Sequence, residues 1–220
     1  MQQKIRGQLY ALVDPNYRQF IQKLFPGVSN ILGVRLPHLK KMAQCIAKTN
    51  GEDYLKDAAD DSLEEVILQG LVIGYVTIDI KQRLHWIKNF VCKINHWGIC
   101  DTFCRALKFK SEDKVVVWNF LQPFLCDHRP YFLRFAIVML FKFIDDEHID
   151  AIFSIVSKVH HEHRYVKLAI AWLISECCVH FPEKTLIFLE SEPLDLWTQR
   201  IAIRKIKASF RIDPFIKRKF

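Results

Sequence analysis

Glycine is scarce in this chain, with seven residues in 220, and strict alternation of apolar and polar positions is scarcer still, which leaves little from which to build a β fold. No apolar run reaches the roughly 18 to 20 residues of a membrane span, and the N-terminal MQQKIRGQLY lacks the apolar core of a secretory signal. The expectation is a cytoplasmic protein that makes no use of a membrane. No long linker or low-complexity tract divides the sequence, so a single domain over residues 1–220, or one short repeat array, is expected to bury the apolar half of the composition in a sizeable core.

The seven cysteines are odd in number and sit mostly inside apolar helical patterns, where thiols pack as small hydrophobes rather than as a disulfide framework. Cys100 and Cys104, at i and i+4, have no second Cys or His pair at structural-zinc spacing. Core packing is their expected role, and no metal is expected. Against 24 acidic residues stand 32 Lys and Arg, a formal charge of +8. That excess suits phosphate backbones or acidic surfaces, with plain solubility as the alternative until the charges are placed on a face.

Apolar residues recur at helical spacing through SLEEVILQGLVIGYV, DIKQRLHWIKNFVCKI, LRFAIVMLFKFI and YVKLAIAWLISECCVHF. Capping chemistry agrees: Asp61 or Ser62 precedes Glu64 and Glu65, Pro130 and Pro182 suit first helical turns, and Asp213-Pro214 is expected to end the last long helix. The helices pair, with first members starting near Ser62, Trp97, Arg129, His163 and Leu194. A period of roughly 31 to 35 residues is that of a two-helix solenoid, in which equivalent helices line the same wall. The expected fold class is therefore all-α, a solenoid of HEAT-like helical repeats.

Trp97-Gly98-Ile99-Cys100-Asp101 starts one first member, and the i, i+4 relation puts the Trp97 indole and the Asp101 carboxylate on one face. An indole face attracts positive charge, and a carboxylate neutralises it or polarises an attacking water. The alternatives are that Asp101 pairs with Arg105 and that Trp97 fills the core. Arg134 and Trp172 lie on the corresponding members of later pairs. In a solenoid two tryptophans, a carboxylate and a guanidinium can thus share the inner wall. Arg134 interrupts the apolar run FLRFAIVMLF, where its charge needs an anion, from a bound partner or from an internal salt bridge.

GVRLPHLKKMA (33–43), INHWGICD (94–101), LRFAIVML (133–140), YVKLAIAWLISEC (165–177) and RKIKASF (204–210) together resemble the DNA alkylation repair family of AlkD-like, HEAT-like-repeat proteins over nearly the whole chain. The resemblance implies a C-shaped solenoid that cradles duplex DNA and, in active members, hydrolyses the glycosidic bond of N3- and N7-alkylated purines. It further implies that Trp97 and Trp172 flank the deoxyribose, that Asp101 is the catalytic carboxylate, and that Arg134 lies beside the DNA backbone. An alkylated purine is already cationic and leaves without a general acid, so the protein's task is to stabilise the sugar cation and orient water. No cofactor and no deep base pocket are required.

The chain departs from the active pattern before Gly33, where there is room for two short helices if residues 1–13 are helical. In active members a tyrosine-bearing helix lies there. Phe20 is its nearest counterpart here, with Tyr10 and Tyr17 as substitutes. Backbone contacts are expected from Arg35, Lys40, Lys41, Arg164, Lys167, Arg204 and Lys205. The basic stretch from Arg200 to Arg211, continued by Lys217, Arg218 and Lys219, should add salt-sensitive DNA binding, unless it only solubilises a terminal repeat.

His160-His161-Glu162-His163 does not form the HExxH pattern and is expected in a solvated loop, while Trp86, Trp118 and Trp197 are expected in packing. The expected function is alkylpurine repair by a monomer on duplex DNA. The alternatives are a non-catalytic binder of plain or branched DNA and a protein-interaction scaffold.

Overall fold

Helix starts in this chain are set by side chains that accept the first free backbone N–H groups. In the computed structural model, which describes residues 1–191 and 193–220, Asp14, Ser62, Asp79, His96, Asp195 and Asp213 each cap a helix in this way. Ser62 and Glu65 complete a reciprocal capping box. The helices are α1 (Gln2–Ala11), α2 (Pro15–Leu24), α3 (Leu36–Thr49), α4 (Gly51–Lys56), α5 (Leu63–Tyr75), α6 (Ile80–Val91) and α7 (Trp97–Ala106). After a 3-10 turn (Ser111–Asp113) follow α8 (Lys114–Leu125), α9 (Pro130–Met139), a second 3-10 turn (Leu140–Phe143), α10 (Ile149–Lys158), α11 (Arg164–His180), α12 (Pro182–Glu190), α13 (Leu196–Ala208) and α14 (Pro214–Lys217). The described residues contain no strand.

They group into two compact units, Met1–Phe120 and Leu121–Phe220, with the boundary inside α8. Within the first unit α5 packs against both α3 and α7. This central helix buries ten of its thirteen residues, so it is apolar nearly all round rather than striped. Gly70 on α5 admits the rings of Phe90 and Phe103, whose centroids are 4.4 Å apart. The Arg83 guanidinium closes the end of α5, donating to the carbonyls of Ile73 at 2.6 Å and Val76 at 2.8 Å.

In the second unit α11 plays the corresponding part, packing against α9 and α13 and burying eight of seventeen residues, among them Ala169, Leu173 and Ile174. Helices two apart in sequence are thus the ones that lie side by side within each unit, the all-helical pattern of stacked helix pairs.

Two local expectations are corrected. Asp213-Pro214 does not end α13, which stops at Ala208; the Asp213 carboxylate instead accepts from the Phe215 backbone and starts α14. Trp197 is not in the core. The packed face of α13 is the i, i+4 row Thr198, Ala202, Ile206. Trp197 lies one step off that row and is 40% exposed.

Candidate functional site

Glu64, at the start of α5, lines a cavity in the first unit. Its carboxylate is 2% exposed and accepts from three successive backbone N–H groups, of Leu32 at 2.9 Å, Gly33 at 2.7 Å and Val34 at 3.2 Å. That grip fixes Gly33 at φ +96°, and a side chain there would strike Arg18 Cβ at 2.6 Å and the Asp14 carbonyl oxygen at 2.8 Å. The close approach seats α2, because Asp14 is both the neighbour of Gly33 and the N-cap of α2, accepting from Tyr17 N at 3.0 Å. Arg35 closes the junction with a 2.8 Å pair to Asp14 and lies over the Tyr17 ring at 4.9 Å. The Tyr17 N–H first, and then Arg35, hold the Asp14 carboxyl below its ordinary range.

With α2 so placed, a cavity of about 500 Å³ opens among α2, α3, α5 and α7. Trp97, Asp101 and Arg105 line it from one face of α7, Tyr17 and Phe20 from α2, and Lys40 from α3. Trp97 and Asp101 are both half-buried. Trp97 is held edge-on by Phe25, with centroids 5.2 Å apart, and Phe25 in turn packs on His96, the N-cap of α7. Burial lifts the phenols of Tyr17 and Tyr75 on this cavity above their ordinary value, so both are neutral donors at neutral pH. The wall therefore offers an indole and a carboxylate on one helix turn, with Lys40, Arg105 and Lys108 as cations around them.

A family model described as DNA alkylation repair enzyme matches residues 5–206. The chain belongs to that family. No curated protein and no solved structure matches it. For a DNA alkylation repair protein, the cavity joins two of the expected catalytic residues, Trp97 and Asp101, to one of the expected backbone contacts, Lys40. Of the three N-terminal candidates, Tyr17 and Phe20 line the cavity, whereas Tyr10, on α1, is 60% exposed and does not.

The remaining expected residues of this repair protein distribute as follows. Lys41 is exposed on α3, and Arg35 is exposed but paired with Asp14. In the second unit Arg134 is 4% exposed and donates to the Tyr165 carbonyl in the first turn of α11. Trp172, half-buried on α11, packs on Phe141 with centroids 4.4 Å apart. Lys167 pairs with Glu162 at 3.1 Å and Asp195 at 3.7 Å, and the Glu162 contact chiefly raises its pKa. Arg164 and Arg204 are exposed, and Lys205 is half-buried.

Sequence reasoning missed Glu64 and the precise seat of α2. The first is invisible locally, because its partners lie about thirty residues away. The second had a signal in Asp14-Pro15, a cap followed by a first-turn proline. Among the described residues, no group of three or more His, Cys, Asp or Glu side chains could hold a metal ion, and no helix is long and apolar enough to cross a membrane.

Proposed function

We propose that this chain binds duplex DNA and hydrolyses the N-glycosidic bond of cationic N3- and N7-alkylpurines, acting as a cytoplasmic monomer without a cofactor. The observation that carries this reading is the shared cavity wall: Trp97 and Asp101 stand one turn apart on α7, beside cations from α3 and α7, in a member of the DNA alkylation repair enzyme family.

In this reading the leaving base departs neutral, and positive charge passes to the deoxyribose. The Trp97 face and the Asp101 carboxylate stabilise that charge, and Asp101 orients the water that adds to the anomeric carbon and takes its proton. Trp172 is the second sugar-facing indole of the family pattern. Exposed Lys40, Lys41, Arg164 and Arg204, with Lys205, contact the phosphate backbone. Arg35 and Lys167 are paired with acids within the protein, so their share in phosphate binding requires exchange of those partners. Arg134 is buried, and its contribution passes through the α11 N-terminus that it holds by the Tyr165 carbonyl.

The test is base release from duplex DNA carrying 7-methylguanine, run beside a gel shift on the same duplex. Native protein should release the base, and Asp101→Asn should slow release by about 10²- to 10⁴-fold while still shifting the duplex. A shift without release by native protein rejects the excision step and leaves a DNA binder.

A further inference from the structure

The chain's positive charge is concentrated at one end. The last 25 residues hold eight of the 32 Lys and Arg and one of the 24 Asp and Glu, so the rest of the molecule is close to neutral. That lone acid, Asp213, caps α14. Of the eight cations, Arg211 is paired with Glu176 and Lys219 with Glu183. Arg200, Arg204 and Lys207 have no ion pair or hydrogen-bond partner among the described residues.

Those three fall on one face of α13. Thr198, Ala202 and Ile206 turn inward, while Trp197, Arg200, Arg204 and Lys207 are all exposed. At about 1.5 Å per residue the stripe from Trp197 to Lys207 is about 15 Å long, the reach of four or five stacked nucleotides at about 3.4 Å each. Trp197 heads the stripe, and its ring has no aromatic partner among the described residues. Phe210, 94% exposed, stands beyond its other end.

We propose that this face of α13 binds an unpaired DNA strand, with Arg200, Arg204 and Lys207 following the phosphates and Trp197 stacking on a base. A duplex keeps its base faces covered and offers an exposed indole nothing to stack on, whereas a single strand presents both charge and π-faces. An anionic membrane would satisfy the charge but not the layout. Surface insertion needs a continuous apolar face, and here three cations separate the aromatic residues. The proposal rests on DNA as the partner and is independent of base excision.

The experiment is fluorescence anisotropy of a labelled twelve-nucleotide oligothymidylate with the full chain, over about 50 to 200 mM salt. A twelve-base-pair duplex and vesicles of phosphatidylserine and phosphatidylcholine serve as comparison arms. Removing three contacts in Arg200→Ala/Arg204→Ala/Lys207→Ala should cut oligothymidylate affinity at least tenfold and flatten the log–log salt slope by about 2. Trp197→Ala should lose about tenfold, and Trp197→Phe should recover most of it. All four positions are exposed, so melting curves should stay unchanged. Oligothymidylate binding that ignores these substitutions overturns the proposal, as does no binding at all, or vesicle capture that depends on the same residues without strand binding. Base release from alkylated duplex, measured in parallel, separates the readings. Its absence with strand binding intact rejects excision alone, and its presence without strand binding rejects this proposal alone.

Discussion

The Phe25 ring lies on the His96 imidazole with centroids 3.9 Å apart, tying the C-terminal end of α2 to the residue that caps α7. Because α7 begins at Trp97 and carries Asp101 one turn later, the position of α2 and the geometry of the catalytic candidates depend on the same small aromatic cluster. Gly98 makes room for it.

Gly98→Ala tests that dependence. A Cβ at Gly98 would sit 2.5 Å from Phe25 Cζ, and Phe25, 7% exposed and packed against both His96 and Trp97, has little space into which to withdraw. Glycine to alanine inside a helix normally stabilises. Here overpacking should prevail, costing about 1 to 3 kcal/mol, read as a lower urea midpoint together with a changed near-ultraviolet circular dichroism signal from the displaced aromatics.

Glu64→Gln should cost about 2 kcal/mol. One carboxylate oxygen accepts from Gly33 and Val34 and the other from Leu32. An amide must turn its NH₂ group toward one set of these donors, leaving buried N–H groups facing N–H. Chemical denaturation reads the loss. Limited proteolysis should show the same variant cut more readily between residues 25 and 35, where the released loop lies.

Most of the architecture is legible in the sequence, because its signals are local. Ser62 with Glu65, Pro130 and Pro182 mark helix starts through contacts spanning three or four residues, and the observed starts of α5, α7, α9 and α11 at Leu63, Trp97, Pro130 and Arg164 lie at or next to the expected ones. What sequence left hidden depends on partners distant in the chain. The Arg134 guanidinium meets the Tyr165 carbonyl across 31 positions, a partner that the composition of neither segment reveals. Trp197 illustrates another limit. Apolar neighbours in sequence placed it in the core, but a single 100° step around α13 decides between the buried row and solvent, and only the packing of α13 on α11 fixes which row is buried.

Stability should fall as the pH drops below about 6.5, the ordinary histidine value. Burial, then His161 and Arg134, depress the His163 pKa. Its folded value lies below its unfolded one, so between the two values the unfolded chain binds the extra proton, and stability present above 6.5 is lost toward the folded value. In this loop the His163 backbone N–H donates to His161 Nδ1 at 2.9 Å, and His161 Nε2 donates to the His128 carbonyl at 3.0 Å. Melting temperatures from pH 8 to 5 should decline in the native protein and decline less in His163→Gln.

Phe20 separates binding from folding. It is 59% exposed yet lines the cavity with Trp97 and Asp101, an arrangement of no use to the core and suited to an aromatic or sugar surface held between α2 and α7. Phe20→Ala removes little buried area, so its denaturation midpoint should match the native protein within about 0.5 kcal/mol. On the excision reading the same change strips one face of the lesion site. Affinity for duplex carrying 7-methylguanine should then fall about five- to thirtyfold, with a smaller fall on undamaged duplex, where the exposed lysines and arginines carry the binding. Phe20→Tyr should restore the damaged-strand affinity. Equal losses on both duplexes would place Phe20 outside the lesion contact and leave the cavity wall to Tyr17 and α7.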